Sequence, residues 1–562
     1  MLKRVSFGVV LLAVACAGAF TGACGGEQPS PRAAAPASAS APVASAPRAP
    51  AAPGRVRVFH HGDVYTAVAG AQHAQAIAIS GAKILKVGTN EAVLAAYPDA
   101  DRVDVHGKTI IPGLNDAHYH DTPDPAGAVL KFKSMEPTVA EVRAAVAAEA
   151  AKKNGKWIIG EVGISVVGDP TVNRTFLDGI APDNPVYLRA YYGHGHILSS
   201  KALEALKIKD SVIDPQGGRF GRTKDGKLDG RVDEYAEWIT GPALAAQASD
   251  EDIAAAQRET FGAALHFGIT SIQTMSWSPA DRYLRAAQTT LQHGPRLRWI
   301  NWPANKTAAI LPAERRSDKI TVGGVKWMLD GTPFEREAAV STPYADSKTT
   351  AKPKFSQDEV TALFAQAAKD KQQPLVHAVG DVAIGEALNA AARMSPADRV
   401  ALRPRIEHGD WLRPEDDARA VELSCVVVVN PTHFALVEIM MKRFGPARRA
   451  MRVASMIKSG VHVAIGSDGP MNPFLNIMLA TIHPYRPEEA MTREQAIDAY
   501  TREAAYAEHA ETEKGTLEAG KLADFAVLSA PVFSMPTEAL PGTFSVLTVI
   551  GGEVMGGAEK DL

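Results

Sequence analysis

The sequence is poor in cysteine and carries little net charge. Only three cysteines occur in 562 residues, and two of them, Cys16 and Cys24, lie near the N-terminus. Cys425 is therefore alone in the body of the chain, which excludes a disulfide within that body. It lies in an apolar run, so we expect a buried strand residue. The formal net charge of -3 gives no sign of the basic surface that nucleic-acid binding requires.

The apolar run near the N-terminus, residues 9–17, is too short to cross a bilayer. Two basic residues precede it and small residues follow it, an order that predicts a secretory signal over residues 1–24. Cys24 takes the position of the lipidated cysteine of a bacterial lipoprotein, although Thr21 stands where such sites usually carry an aliphatic residue. Simple cleavage nearby is the alternative. We expect an exported, periplasm-facing protein of the cell envelope that touches the membrane only through this lipid.

The remaining chain divides by composition. Residues 25–53 are almost all Ala, Pro, Ser and Gly, which cannot bury a core and predict a disordered linker. Short β-like runs occur at both ends of the rest, so residues 54–107 and 508–562 are predicted to form one small β-sandwich. Residues 108–507 alternate between strand-like and helix-like segments.

This alternation predicts an α/β fold, a parallel (β/α)8 TIM-like barrel. Amphipathic stretches separate most of its eight predicted strands, which are 108–111, 268–272, 297–300, 324–329, 374–377, 405–408, 425–429 and 462–465. The gap after the first strand is far longer than an ordinary loop. We therefore predict an inserted subdomain at about 121–255.

Histidines and one aspartate end several of these strands. His118 and His120 are two residues apart and so point to the same side of a strand, which presents two imidazoles to one point, as a metal ion requires. His377, His408 and Asp468 end other predicted strands, at the rim where barrel active sites lie. A lone strand histidine is usually structural, and only the repetition favours a metal site. A metal there would lower the pKa of water, and Asp468 could take and return a proton.

The order of these motifs resembles the amidohydrolase superfamily, in particular the branch similar to N-substituted formamide deformylases (amidohydrolase family 3). The resemblance extends over about residues 55–555 and rests on the segments 112–120, 268–271, 325–331, 377–381, 405–408 and 466–468. It implies a metal-dependent hydrolase of the barrel fold.

The resemblance also implies a ligand set. His118, His120 and Asp468 would hold a first metal, and His377 and His408 a second, so that one or two zinc ions are expected. Lys326 matches a lysine that such enzymes can carboxylate into a bridging ligand. From the sequence alone, Lys326 is a lysine in an apolar strand that needs a partner or a modification, and a salt bridge is the alternative.

Further residues are candidates for lesser roles. His194 corresponds to a family histidine that contacts substrate or oxyanion, although Ser199 and Ser200 replace the Asn-Ser pair that usually follows. His433, after the seventh strand, is a candidate substrate contact. For both, an ordinary loop histidine is the alternative. Asp381 is expected to orient the site, and Glu407 to be structural.

The sequence therefore predicts hydrolysis of an amide-like C–N bond of a small molecule by metal-activated water. Asp468, His194 and His433 are the candidate catalytic residues. An esterase, lactonase or isomerase on the same site is one alternative, since a fold does not fix a reaction. A binding lipoprotein without turnover is another. The sequence selects neither a particular substrate nor an oligomeric state.

Overall fold

The computed structural model describes residues 54–305, 308–445 and 450–562. The predicted signal and linker, residues 1–53, lie outside this part of the chain. None of the described helices has both the length and the apolar character needed to cross a membrane.

Eight parallel strands form the barrel, and each pairs with the next along the chain. They are β1 Leu114–His120, β2 Ile269–Met275, β3 Arg296–Asn301, β4 Ile320–Met328, β5 Pro374–Ala378, β6 Arg405–His408, β7 Val426–Val429 and β8 His462–Ile465. Just beyond β8, the backbone N–H of Asp468 donates to the carbonyl oxygen of His118 (2.9 Å) and joins the two end strands. The predicted α/β barrel is confirmed.

The sequence pattern places the first barrel strand at 108–111, and this prediction is wrong. Thr109–Pro112 pairs instead with Phe525–Leu528 and Asp63–Tyr65 in a separate sheet. Thr109–Pro112 is largely apolar, whereas the strand after Gly113 is mostly polar, so the apolar pattern favours the segment that does not enter the barrel. A Cβ on Gly113 would lie 2.1 Å from the Thr270 hydroxyl oxygen, so only glycine lets the chain pass from this sheet into the barrel beside Thr270.

Helices cover the outside of the barrel and follow most of its strands. Their bounds are Asp250–His266, Ala280–Thr290, Gln357–Lys369, Asp381–Arg393, Pro396–Leu402, Asp417–Glu422, Val437–Phe444, Val453–Lys458, Pro473–Ile482, Arg493–Tyr500 and Arg502–Ala507. Local sequence explains several helix starts: Ser249, Ser356 and Thr492 each form a capping box with the residue three positions later. Apolar residues at helical spacing then face the barrel, and Cys425, next to β7, is buried as predicted.

A six-stranded sheet lies between β1 and β2 in the chain. In spatial order its strands are Gly218–Arg222, Leu228–Glu234, Gly195–Leu198, Val186–Ala190, Trp157–Val162 and Gly127–Leu130. Its helices are Val139–Ala150, Ile164–Val167, Arg174–Asp178, Ser200–Ala205 and Glu237–Ala245. This sheet falls within the segment predicted as an insert, whereas the domain limits given above stay predictions.

Two further sheets lie next to each other, and the second of them combines residues from near both ends of the described chain. One contains Lys83–Gly88, Ala76–Ser80, Val56–His60 and Asp101–Asp104, and the other Glu553–Gly557, Ser545–Ile550, Phe525–Leu528, Thr109–Pro112, Asp63–Tyr65 and His73–Ala74. A shared core joins them, in which the rings of Phe59 and Phe525 meet edge to face at 5.0 Å. The helix Asn90–Ala96 accompanies the first sheet.

A buried ion pair fixes the barrel to these sheets. The Arg296 guanidinium, at the start of β3, donates to both carboxylate oxygens of Asp524 (2.7 and 3.1 Å). Asp524 also accepts from the backbone N–H of Gly551 (2.7 Å). The side chains of Arg296 and Asp524 are only 11% and 3% exposed, so water cannot take the place of the carboxylate as the partner of the guanidinium.

Replacing Asp524 by alanine should therefore destabilise the whole protein. Removal of one member of a buried pair leaves the other charged and unpaired, which costs about 3 kcal/mol. Urea unfolding followed by circular dichroism measures this loss in the free energy of unfolding. Glu251→Ala removes a carboxylate from an exposed pair with Arg258 and should have little effect. Equal losses in the two variants would contradict the assignment.

Candidate metal centre

The C-terminal rim of the barrel brings three of the predicted ligands together. His118 and His120 lie at the end of β1, and their Nε2 atoms are 3.3 Å apart. The Asp468 Oδ1 atom lies 3.6 Å from the first and 3.4 Å from the second. Donor atoms this close can share one metal ion after small side-chain rotations.

A hydrogen-bonded carboxylate orients the buried His118. The Nδ1–H of His118 donates to Glu407 Oε2 (2.5 Å), which leaves Nε2 with its lone pair facing Asp468. The Arg405 guanidinium holds Glu407 through two hydrogen bonds (2.8 and 3.0 Å) and also donates to the carbonyl oxygen of Ala117 (2.7 Å). Glu407, which the sequence predicts to be structural, thus orients a candidate metal ligand.

Among these residues, His408 gives the clearest evidence of a metal-binding role. Asn430 donates from Nδ2 to the carbonyl oxygen of Gly466 (2.9 Å), which fixes its amide, and its Oδ1 accepts from His408 Nδ1 (2.8 Å). The other nitrogen of His408, Nε2, is buried and has no hydrogen-bond partner. A buried nitrogen with a free lone pair fits a metal ion. The residues present thus suit the metal that the motifs imply.

Two more histidines surround His408. The His377 ring lies 4.5 Å away and the His433 ring 5.4 Å away, measured between centroids. His433 Nδ1 is 3.2 Å from Asp410 Oδ2. Burial lowers the pKa of His433, but the Asp410 carboxylate outweighs burial and the pKa is raised.

Lys326 lies inside this group of ligands. Its Nζ is 3.0 Å from His118 Nε2, and no ion pair to it occurs within the described ranges of the chain. The salt bridge expected as the alternative for Lys326 is therefore not seen there. Burial disfavours the charged amine and lowers the pKa of Lys326 to about 8.

Asp468 remains ionised although it is enclosed. Burial by itself would raise its pKa, but the neighbouring His118, His120 and Lys326 outweigh burial and lower the pKa of Asp468 to about 2. Close packing fixes its position. A Cβ on Gly466 would lie 2.3 Å from the Cβ of His118, so the turn before Asp468 packs directly on β1.

His194, which directly precedes the strand Gly195–Leu198 of the six-stranded sheet, also lies near this group. Its Nδ1 lies 2.9 Å from Glu234 Oε2 and 3.9 Å from Glu335 Oε1, and its ring is 5.2 Å from that of His377. Burial lowers the pKa of His194, but the two glutamates outweigh burial and raise the pKa to about 10. A protonated imidazole therefore lies beside the barrel histidines.

Two further residues, His196 and Asp381, lie apart from the centre. His196 contacts the Tyr187 hydroxyl through Nδ1 (2.7 Å) within the insert. Asp381 accepts from the backbone N–H and the hydroxyl of Ser341, so it fixes a loop and does not face the ligand group.

Three tryptophans line one side of the site, and no motif in the sequence predicts them. The Trp302 ring lies 4.5 Å from His120 and is stacked on Trp277 at 5.2 Å. Trp238 of the insert packs against both. The only sequence signal for Trp302 is its place just after β3, where residues of the active-site rim begin.

Known proteins resemble this chain over most of its length. N-substituted formamide deformylase of Arthrobacter pascens is 28% identical over 502 residues, which cover 81% of this chain and 90% of the relative. Protein LONG AFTER FAR-RED 3 of Arabidopsis thaliana is 27% identical over 515 residues, which cover 84% and 86%.

A solved structure shares the fold. It is that of an uncharacterized metal-dependent hydrolase from Pyrococcus horikoshii OT3, which superposes with a TM-score of 0.69 at 20% identity and covers 86% of this chain and 99% of its own. The family model described as "Amidohydrolase family" matches residues 101–555. On this match, the chain belongs to the amidohydrolase family.

Proposed function

We propose that this protein is a metal-dependent amidohydrolase that cleaves an amide-like C–N bond of a small molecule. The observation that carries the proposal is the buried, unpartnered Nε2 of His408, on a ring that lies among those of His118, His377 and His433. Family membership supports it, as does the name of the Arthrobacter pascens relative, which describes the removal of a formyl group from a substituted formamide.

One or two divalent ions, with zinc the preferred metal, would be held by two groups of residues. His118, His120 and Asp468 form the first group, and His377 and His408 the second. A divalent ion there lowers the pKa of water and polarises a carbonyl oxygen. We further propose that Lys326 is carboxylated, because a neutral amine can add carbon dioxide and release a proton to become an anionic ligand.

The residues of the chain handle the proton and the substrate. Asp468 stays ionised, so it can accept a proton from water and pass it to the leaving amine. His433 and His194 each keep a proton through a neighbouring carboxylate. They are placed to donate hydrogen bonds to the substrate or its oxyanion, while Trp302 excludes water on one side.

The same centre can support an esterase, a lactonase or an isomerase, and a binding lipoprotein without turnover is the remaining alternative. A panel of N-acyl, N-formyl, cyclic amide and ester substrates, assayed with Zn²⁺, Mn²⁺ and Co²⁺, separates these possibilities. Turnover of esters alone would contradict the amidohydrolase assignment. We also propose export to the bacterial envelope through residues 1–24 and lipidation of Cys24, on the sequence pattern alone.

Asp468→Ala should abolish turnover and leave at least part of the metal bound. The loss of a group that transfers the proton costs about 10²–10⁴-fold in kcat, and the histidines remain. Activity assays and metal analysis of the same preparation measure both effects. Asp358→Ala, on the exposed face of the helix Gln357–Lys369, serves as control. Near-normal turnover by metal-loaded Asp468→Ala would refute the proton-transfer role.

Bicarbonate present during metal loading should raise the metal content of the wild type but not of Lys326→Arg. Arginine keeps a positive charge but does not form the carboxylated ligand. Lys319→Arg changes a lysine just before β4 that donates to three carbonyl oxygens (2.8, 3.3 and 3.0 Å), and it should respond like the wild type. If the wild type takes up the same metal with and without bicarbonate, Lys326 is not carboxylated.

Asn430→Ala should weaken metal binding about 10-fold, because the partner that orients a ligand histidine is lost. Competition with a chelator measures the affinity, and circular dichroism checks folding. Asn476→Ala removes an equally buried amide from the helix Pro473–Ile482 and should leave the affinity unchanged. Unaltered affinity in Asn430→Ala would remove His408 from the ligand set.

A further inference from the structure

A second group of histidines lies far from the barrel rim, on the sheet that contains Val56–His60 and Asp101–Asp104. These two strands are parallel neighbours, and His60 and Asp104 are register partners at their C-terminal ends. His61 and His106 follow in the two adjoining loops. The four residues His60, His61, Asp104 and His106 are called the edge cluster below.

The donor atoms of the edge cluster converge. His61 Nδ1 lies 2.8 Å from Asp104 Oδ2, and His106 Nδ1 lies 3.5 Å from Asp104 Oδ1. The rings of His60 and His61 are 4.4 Å apart between centroids. One donor atom from each of His60, His61 and Asp104 lies within 4.8 Å of the others, so small rotations would bring them around one ion.

His60 supplies an independent sign of a ligand. The residue is only 9% exposed, and its Nδ1 has no hydrogen-bond partner. A buried polar atom without a partner is uncommon and costs free energy.

The backbone holds the two loops in fixed positions. His61 (φ 55°) and His106 (φ 50°) both adopt the left-handed conformation, which residues other than glycine rarely adopt. Hydrogen bonds maintain it: His61 N donates to Asn90 Oδ1 (2.8 Å), and His106 N to Asp104 Oδ1 (2.8 Å). Gly107 N donates to the carbonyl oxygen of His61 (2.7 Å) and ties one loop to the other.

We propose that the edge cluster binds one divalent transition metal of the zinc type, separately from the barrel centre. His60, His61 and Asp104 offer two imidazoles and one carboxylate as ligands, and His106 lies beside Asp104. Such nitrogen-rich donors suit zinc, whereas magnesium and calcium prefer oxygen. Bound metal would join the ends of two strands that the chain reaches more than forty residues apart and would satisfy the free nitrogen of His60. Its role is structural.

Zinc stoichiometry of the full chain tests this proposal. Wild type, His61→Gln and Asp104→Asn are stripped with a chelator, reloaded with Zn²⁺, freed of excess metal and analysed for zinc per chain. We expect one equivalent less in both variants, with unchanged kcat/KM. His73→Gln is the matched control: His73 lies in the neighbouring sheet, its side chain is similarly exposed (58% against 55% for His61), and it pairs with Asp63 outside the edge cluster. It should keep the wild-type zinc content.

Two further measurements distinguish metal bound at the edge cluster from metal bound at the barrel centre. His118→Ala should lose barrel metal and activity yet retain an equivalent that disappears when His61→Gln is added. Zn²⁺ should raise the Tm of His118→Ala, and the double variant should lose that response. The same zinc content in wild type, His61→Gln and Asp104→Asn would overturn the proposal and assign the cluster to hydrogen bonding alone, whatever the barrel centre does.

Discussion

A fully buried ion pair inside the barrel, between Arg405 and Glu407, determines the geometry of the candidate metal centre. Two charges without solvent are tolerated only when their hydrogen bonds are satisfied. Arg405 therefore also binds the backbone of Ala117, and Glu407 binds His118. Through these contacts β6 fixes the position, the tautomer and the direction of the first candidate ligand on β1, and the remaining ligands are arranged around it.

The segments around this ion pair bring side chains of different charge to the candidate metal centre. The turn after β8 supplies an ionised aspartate, Asp468, and the last residue of β6, His408, supplies an imidazole with a free nitrogen. The insert supplies a protonated histidine, His194, whose charge depends on Glu234 and Glu335. Neutral, anionic and cationic groups thus meet at one rim, and each protonation state is set by a different element of the fold.

The sequence predicts the parts of this site that repeat a local rule. His118 and His120 share one side of a strand, and His377, His408 and Asp468 end strands of a barrel that the alternation of elements predicts. Contacts between distant segments leave no such signal. The carboxylate behind His118, the amide of Asn430 and the edge cluster all join residues that only folding brings together. The first strand was misplaced because Thr109–Pro112 is largely apolar and the adjacent β1 is mostly polar, so only sheet pairing shows that β1 is the barrel strand.

The pairing of Thr109–Pro112 with Phe525–Leu528 has a consequence for the order of folding. A ribosome releases the first of these strands long before the second, so the ladder cannot form until almost the entire chain has emerged. Loop closure over such a separation is entropically costly and slow. β1 begins directly after Gly113, so the sheet that holds the start of β1 in place is completed late in folding. The two histidines of β1 would therefore be among the last groups to reach their final positions during biogenesis.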